Sequence, residues 1–318
     1  MDNPSTAFQD FFVREGRLHP AWRAMLYIVA YLFCLFFIQV PLILAWLTIL
    51  LRSGNTLEAA LTHLETDMLS LTWMLPLAVF QTGSIVGVTY VFRRLLDRRS
   101  FAGLGFRTLP GWAGEIVLGL LLGFGVMGGI FLVEWITGWA TIAFATTSFY
   151  QLAGSLIGYA LVYMSAGIAE ELIFRGYLLQ TLQEWPGTLA ATVITSVLFG
   201  LGHACNPNVS PLALFFLIVA GFIFAYAYLA TGRLWLPIAL HFSWNFFQGP
   251  VFGFPVSGVP PQGIFSVQPT GPALLTGGSF GPEAGLMGLA ALAIITVTIR
   301  LWSRTTTKQA MRYATPAH

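Results

Sequence analysis

Glu170 and Glu171 stand side by side in an otherwise apolar stretch, GYALVYMSAGIAEELIFRGYLLQ over 158–180. Carboxylates at membrane depth are costly, and an ionisable residue there marks a functional site by default. Two polar insertions follow in later apolar segments, Phe199-Gly-Leu-Gly-His203 and His241-Phe-Ser-Trp-Asn245. A Glu/His/His/Asn set is the chemistry of a hydrolase that activates water. On a helix, Glu171 and Arg175 are i and i+4 with the acid first, the favourable order for an ion pair. Glu170 points about 100° away around that helix, off the Arg175 face. An apolar setting away from a cation raises a carboxylic acid towards the range a general base needs. The competing structural account is an ion pair plus an acid that anchors a neighbouring helix. His241 and Asn245 are one turn apart and share a helix face. Imidazole and amide N–H groups so placed are reasonable donors to a developing oxyanion, with an interhelical hydrogen bond as the plainer alternative. His19, His63 and His318 fall outside the apolar segments, so both intramembrane histidines belong to this set.

The elements that carry these residues are membrane spans. Of 318 residues, 56% are hydrophobic and 9% charged, and the mean hydropathy is +0.75. Soluble domains carry about 25% charged residues. An all-α, polytopic helix bundle follows, with about eight spans of roughly 20 apolar residues each. They are read at 24–51, 71–92, 112–136, 150–183, 187–203, 211–230, 235–249 and 285–302. Arginines gather at the N-terminus, at 93–107, at Arg233 and after residue 300, all on one side of an even number of crossings. The positive-inside rule then makes both termini cytoplasmic. The layout is a cytoplasmic segment 1–23, a transmembrane domain 24–302 with its motif-bearing core at about 150–250, and a basic tail 303–318. The first 24 residues hold Asp2, Asp10 and Glu15 and no apolar core, so a cleaved signal peptide is not expected. Cys34 and Cys205 lie in different segments and form neither a disulfide framework nor a CxxC metal site.

Stretch 250–284 has seven prolines and one charge, Glu283. It reads as a long irregular extracytoplasmic loop, a linker rather than a lid. Trp185-Pro186-Gly187 is a turn between two helices. Glu170 and His203 each lie roughly 25 Å from it along their helices, so an antiparallel hairpin would bring them level. The run Ala-Cys-Asn-Pro-Asn-Val-Ser-Pro after His203 is not regular helix, and at membrane depth it must line a wet cavity.

Other motifs carry less. Gly123-Phe-Gly125-Val-Met-Gly128 matches GxGxxG but lies mid-span. Gly119, Gly123, Gly125 and Gly129 read instead as a close helix-packing face. Gly277-Gly-Ser279-Phe-Gly281 matches a nucleophile elbow without its strand–turn–helix context. The HExxH signature is absent. Glu115 and Glu134 sit near the ends of the third span, where carboxylates can reach water.

The three polar segments resemble the motifs of the CPBP family of intramembrane proteases, which includes type II CAAX prenyl endopeptidases and bacteriocin-immunity and bacteriocin-processing proteins. Glu170-Glu171-Leu-Ile-Phe174-Arg175-Gly176 looks like EExxxR, Phe199 to His203 like FxxxH, and His241 to Asn245 like HxxxN. The resemblance implies hydrolysis of a membrane-associated peptide or protein within the bilayer, in a bacterial inner membrane, with no nucleic-acid partner. It implies Glu170 as the base that activates water and His203 as the residue that positions this water or binds a metal. His241 and Asn245 would stabilise the oxyanion, and Glu171 and Arg175 would support the site. Glu170, His203 and His241 could ligate a catalytic zinc with an open position. A metal-free, glutamate-activated water would use the same residues. Two other functions are held against this one: a non-enzymatic immunity-type binding protein and a proton-coupled transporter. The absence of an internal repeat counts against the transporter.

Overall fold

The computed structural model describes residues 11–144, 148–260 and 263–314. Expectations on residues 1–10, on His318 and on the end of the basic tail lie outside them. A short hairpin, β1 (Val13–Arg14) and β2 (Arg17–Leu18), leads into α1 (Pro20–Arg52). Then come α2 (Leu57–Met68), α3 (Leu71–Val91, running on as a π turn to Leu96), α4 (Trp112–Thr137) and strand β3 (Ala140–Phe144). Helix α5 starts as Phe149–Glu171, continues as a π turn over Leu172–Leu179 and closes at Gln180–Gln183. Next are α6 (Thr188–Leu201), α7 (Pro211–Thr231) and α8 (Trp235–Phe246, with a π turn to Val251). Strand β4 (Phe265–Pro269), the short α9 (Ala273–Thr276) and α10 (Leu286–Ala314) complete the chain.

The expected helical membrane bundle is present. Among the described residues six helices are long and apolar enough to cross a bilayer: Pro20–Arg52, Leu71–Leu96, Trp112–Thr137, Phe149–Gln183, Pro211–Thr231 and Leu286–Arg304. The expected count of eight is not confirmed at the other two. Thr188–Leu201, at 14 residues, reaches about 21 Å against a hydrocarbon core of about 30 Å. Trp235–Phe246 runs on through the π turn to Val251 and falls outside the same six. The turn at Trp185-Pro186-Gly187 and the non-helical run after Gly202 are both found.

The chain divides into two compact units, Met1–Leu104 with Ala153–Ala191, and Gly105–Leu152 with Thr192–His318. In the first, α1, α3 and α5 carry the packing. The Leu71 side chain occupies the space that a Cβ on Gly158 would need, and the Thr82 hydroxyl donates to the Ser165 carbonyl at 3.0 Å. One end is tied by charge. Arg23, fully buried, binds both Asp97 and Glu184, and Arg99 reaches Glu184 at 2.7 Å. Burial raises the Glu184 carboxyl, but Arg23, Arg99 and Arg17 around it hold it below the usual carboxylate range. Beside this network Tyr27 stacks on Tyr177 with centroids 4.2 Å apart.

In the second unit α4 and α8 lie in close contact. A Cβ on Gly119 would sit 2.7 Å from the Leu240 nitrogen, and one on Gly123 would sit 2.0 Å from Ser243 Oγ. Ser243 Oγ donates to the Gly119 carbonyl at 2.7 Å across that contact. Gly125 and Gly129 face open space, so the small-residue face extends only over 119 and 123. Helix α7 has legible ends. Ser210 caps it by accepting from the Ala213 N–H, Pro211 opens it, and Gly232 closes it in the left-handed region. Glycines bring α6 and α7 together. A Cβ on Gly200 would meet Ile218 at 2.4 Å, and one on Gly221 would meet Ser196 at 2.9 Å.

Stretch 250–284 differs from the expected linker. β4 pairs antiparallel with β3, Ala140 opposite Pro269 and Phe144 opposite Phe265. Its glycines are sites of backbone-on-backbone contact: a Cβ on Gly277 would sit 1.8 Å from the Gly281 carbonyl oxygen. Composition alone hides this, because the same glycines and prolines that suit a linker also permit a tightly folded strap.

Glu115 and Glu134 also depart from expectation. Both are fully buried rather than open to water. Glu115 is paired with Arg233, which also donates to the carbonyls of Leu109 and Pro110 at 3.2 Å. This ties the α7–α8 link to the chain entering α4.

Candidate active site

The acidic residues sit where α5 changes its winding. Glu171 is the last α-helical residue and Arg175 lies in the π turn that follows. The expected ion pair forms, with Arg175 Nη1 donating to Glu171 Oε1 at 2.8 Å. Both residues are buried, at 0% and 1% side-chain exposure, so the pair is desolvated. The Phe174 ring adds a cation–π contact 5.8 Å from the Arg175 guanidinium carbon. Single π turns often mark functional positions, because the extra residue per turn re-aims the side chains around it. The apolar run 158–180 is expected to be plain α-helix, and nothing in its residues announces this turn.

Glu170 is half-buried. Its carboxylate lies within electrostatic range of Arg175 and of Tyr31 on α1. The guanidinium bonds to Glu171 and also acts through space on Glu170. Tyr31 in turn accepts from Gln81 Nε2 at 3.1 Å. Neither Tyr31 nor Gln81 has a sequence signal, since each is a single polar residue in an apolar span.

The histidines belong to the second unit. His203 follows the last turn of α6 and is half-buried. Its Nδ1 lies 2.9 Å from the Phe199 carbonyl oxygen. A carbonyl only accepts, so Nδ1 carries the hydrogen and Nε2 of the neutral ring is the acceptor. A ring so fixed can hold a water by that nitrogen. His241, on α8, is buried, and Asn245 one turn on is half-buried. The His241 ring stacks on Phe224 of α7, with centroids 4.8 Å apart and planes at 23°. Phe199 touches both histidine rings, at 5.2 Å to His203 and 6.0 Å to His241. Phe199 and Phe224 thus make an aromatic platform that brings the two histidines into one environment. Phe199 is legible as the first residue of its motif, whereas Phe224 is one of many aromatics in an apolar helix.

Glu283 of the strap is also buried. Its carboxylate accepts from the backbone N–H and hydroxyl of Ser257 and faces Trp244 Nε1 at 3.5 Å. Burial pushes the Glu283 carboxyl up, against the pull of hydrogen bonds from Ser257, Gln248 and Trp244.

Comparison with known proteins places these residues in a family context. Residues 151–247 match the family described as Type II CAAX prenyl endopeptidase Rce1-like. That segment contains Glu170, Glu171, Arg175, His203, His241 and Asn245. The chain carries an Rce1-like segment. It is also 39% identical over 80 residues to the protein named "Putative membrane peptidase YdiL" of Bacillus subtilis (strain 168). The aligned part covers 25% of this chain and 31% of that relative, so the chain matches about a third of the relative's length. No solved structure matches the chain. Apolar helices and the Rce1-like segment together make this an integral membrane protein.

Zinc is the group that the resemblance raises. Among the described residues no three His, Cys, Asp or Glu side chains are grouped so as to hold a metal ion.

Proposed function

We propose that this chain is an intramembrane endopeptidase that hydrolyses peptide bonds of membrane-associated substrates in the cell membrane. The observation that carries the reading is the desolvated Glu171–Arg175 pair beside Glu170, inside the Rce1-like segment. A buried ion pair is weak evidence for stability, because desolvation consumes most of its Coulomb gain. Its presence next to a second acid is better explained by a catalytic task.

The steps follow from the residue chemistry. Glu170 takes a proton from water as the oxygen attacks the scissile carbonyl. Arg175, through Glu171 and its own field, keeps the carboxylates oriented. His203 can accept a hydrogen bond from a water through Nε2. His241 and Asn245 donate to the oxygen that becomes negative. Glu170 then returns its proton to the leaving amine. Peptidase assay of the purified chain in bilayers, wild type against single variants, tests each role.

His241→Ala and Asn245→Ala are expected to lower kcat by about 10²–10³ with little change in KM, because oxyanion donors act mainly in the transition state. Metal content of wild type, His203→Ala and His241→Ala separates the roles of His241. Unchanged metal content supports the donor. Stoichiometric zinc in wild type, lost in both variants, makes His241 a ligand instead.

Both termini are proposed to be cytoplasmic, with 52–70, 137–149 and 250–284 on the other side. Two observations within the second unit support this. Arg233 and Glu115 pair beside Leu109 and Pro110, near the N-terminal end of α4, and β3 pairs with β4 just beyond its C-terminal end. Cysteines at Thr108 and Ser266, with Cys34 and Cys205 replaced, are expected to react with impermeant maleimide from opposite sides. Labelling of both from one side would refute the arrangement.

A further inference from the structure

The strap carries one charged residue, Glu283, and the mechanism above does not use it. A buried carboxylate is costly unless it is held by donors. Here the donors converge on one turn. Val256 and Val259 exchange two backbone hydrogen bonds at 2.9 Å, closing a two-residue hairpin over Ser257 and Gly258. Both central residues have positive φ, +49° at Ser257 and +83° at Gly258. Such turns favour Asn-Gly or Gly-Gly, and a serine in the left-handed region is held there against its own preference. Glu283 supplies the hold by accepting from both the Ser257 N–H and its hydroxyl.

This turn rests on the segment after His203. Asn206 Nδ2 donates to the Ser257 carbonyl at 3.1 Å, and Asn208 Nδ2 to the Gly258 carbonyl at 3.4 Å. A Cβ on Gly258 would lie 1.8 Å from the Pro207 carbonyl oxygen, so the two backbones are in direct contact. The Asn206 N–H donates to the His203 carbonyl at 3.1 Å. A continuous run of hydrogen bonds therefore leads from Glu283 through Ser257 and Asn206 to His203. All of it lies in the second unit.

We infer that Glu283 is a positioning residue: it latches the strap onto the Asn206–Asn208 segment and thereby fixes where His203 stands. The inference deepens the peptidase reading and rests on it for the role of His203. A misplacement of about 1 Å at a catalytic group can cost roughly 10²-fold in rate. A loosened latch should therefore act on turnover and leave substrate binding alone.

The test uses the full-length protein in nanodiscs and two variants. Glu283→Ala removes the latch at its source. Asn206→Ala cuts it at the other end and leaves the strap's own contacts intact, so it serves even where Glu283→Ala does not fold. Hydrogen exchange of residues 203–210 is read without substrate, and kcat and KM are read with a cleaved peptide. Both variants are expected to exchange about tenfold faster over 203–210 than wild type, as local opening becomes easier. Both should lose about 10- to 100-fold in kcat at unchanged KM. Wild-type exchange over 203–210 in the folded variants would overturn the latch. Faster exchange with wild-type kcat would overturn the positioning role. Because exchange needs no substrate, a wild-type protein that cleaves nothing would sink the peptidase reading and still leave the latch decided.

Discussion

Glu170→Gln is expected to abolish peptide hydrolysis while the protein stays folded and inserted. Glutamine has the size of glutamate and still forms hydrogen bonds, but it cannot take a proton from water. Loss of a general base typically costs 10²–10⁴-fold, the largest effect on activity expected of any single change here. The fold should not respond. Glu170 is half-buried, and the neighbouring Glu171–Arg175 pair is untouched by the change. Thermal unfolding of wild type and variant should coincide, which separates chemistry from stability. Full turnover by purified Glu170→Gln protein would remove Glu170 from the mechanism.

The largest effect on stability is expected at Arg175. Arg175→Ala leaves Glu171 at 0% exposure without its guanidinium partner at 2.8 Å. Breaking a buried pair from one side costs about 3–5 kcal/mol, because the remaining charge stays desolvated. The double variant Glu171→Gln with Arg175→Gln should recover much of that loss relative to Arg175→Ala, since two neutral amides can bond to each other. Activity should stay low in both, as Glu170 loses the field of Arg175. Chemical or thermal unfolding in detergent measures the pair directly. A single variant as stable as wild type would show that the pair contributes nothing.

The parts of this fold that could be read from sequence are those governed by local rules. Six of the expected spans were legible because each is a long apolar run. The ends of α7 were legible because Ser210, Pro211 and Gly232 are each suited to one position of a helix end. The Glu171–Arg175 pair was legible because i,i+4 spacing puts both on one face. Helix α8 continues without a break from Trp235 to Val251, and its change of winding at Phe247 has no signal in the apolar run. The remaining misses depend on partners distant in sequence. Nothing local distinguishes Phe224 from its aromatic neighbours until it stacks on His241. Glu115 reads as an acid near water until Arg233, more than a hundred residues on, is found beside it. The strap reads as a linker because its order comes from β3, from the segment after His203 and from Glu283, none of which its own composition announces.

The central claim, hydrolysis of membrane peptides by this chain, is tested most directly by mass spectrometry of new peptide termini. Proteoliposomes containing purified wild type or Glu170→Gln protein would be incubated with membrane peptides extracted from the source cells. The account predicts a discrete set of new termini with wild type, located in or next to apolar segments, and none with Glu170→Gln. Identical peptide patterns for the two proteins, with both shown to be folded, would contradict it.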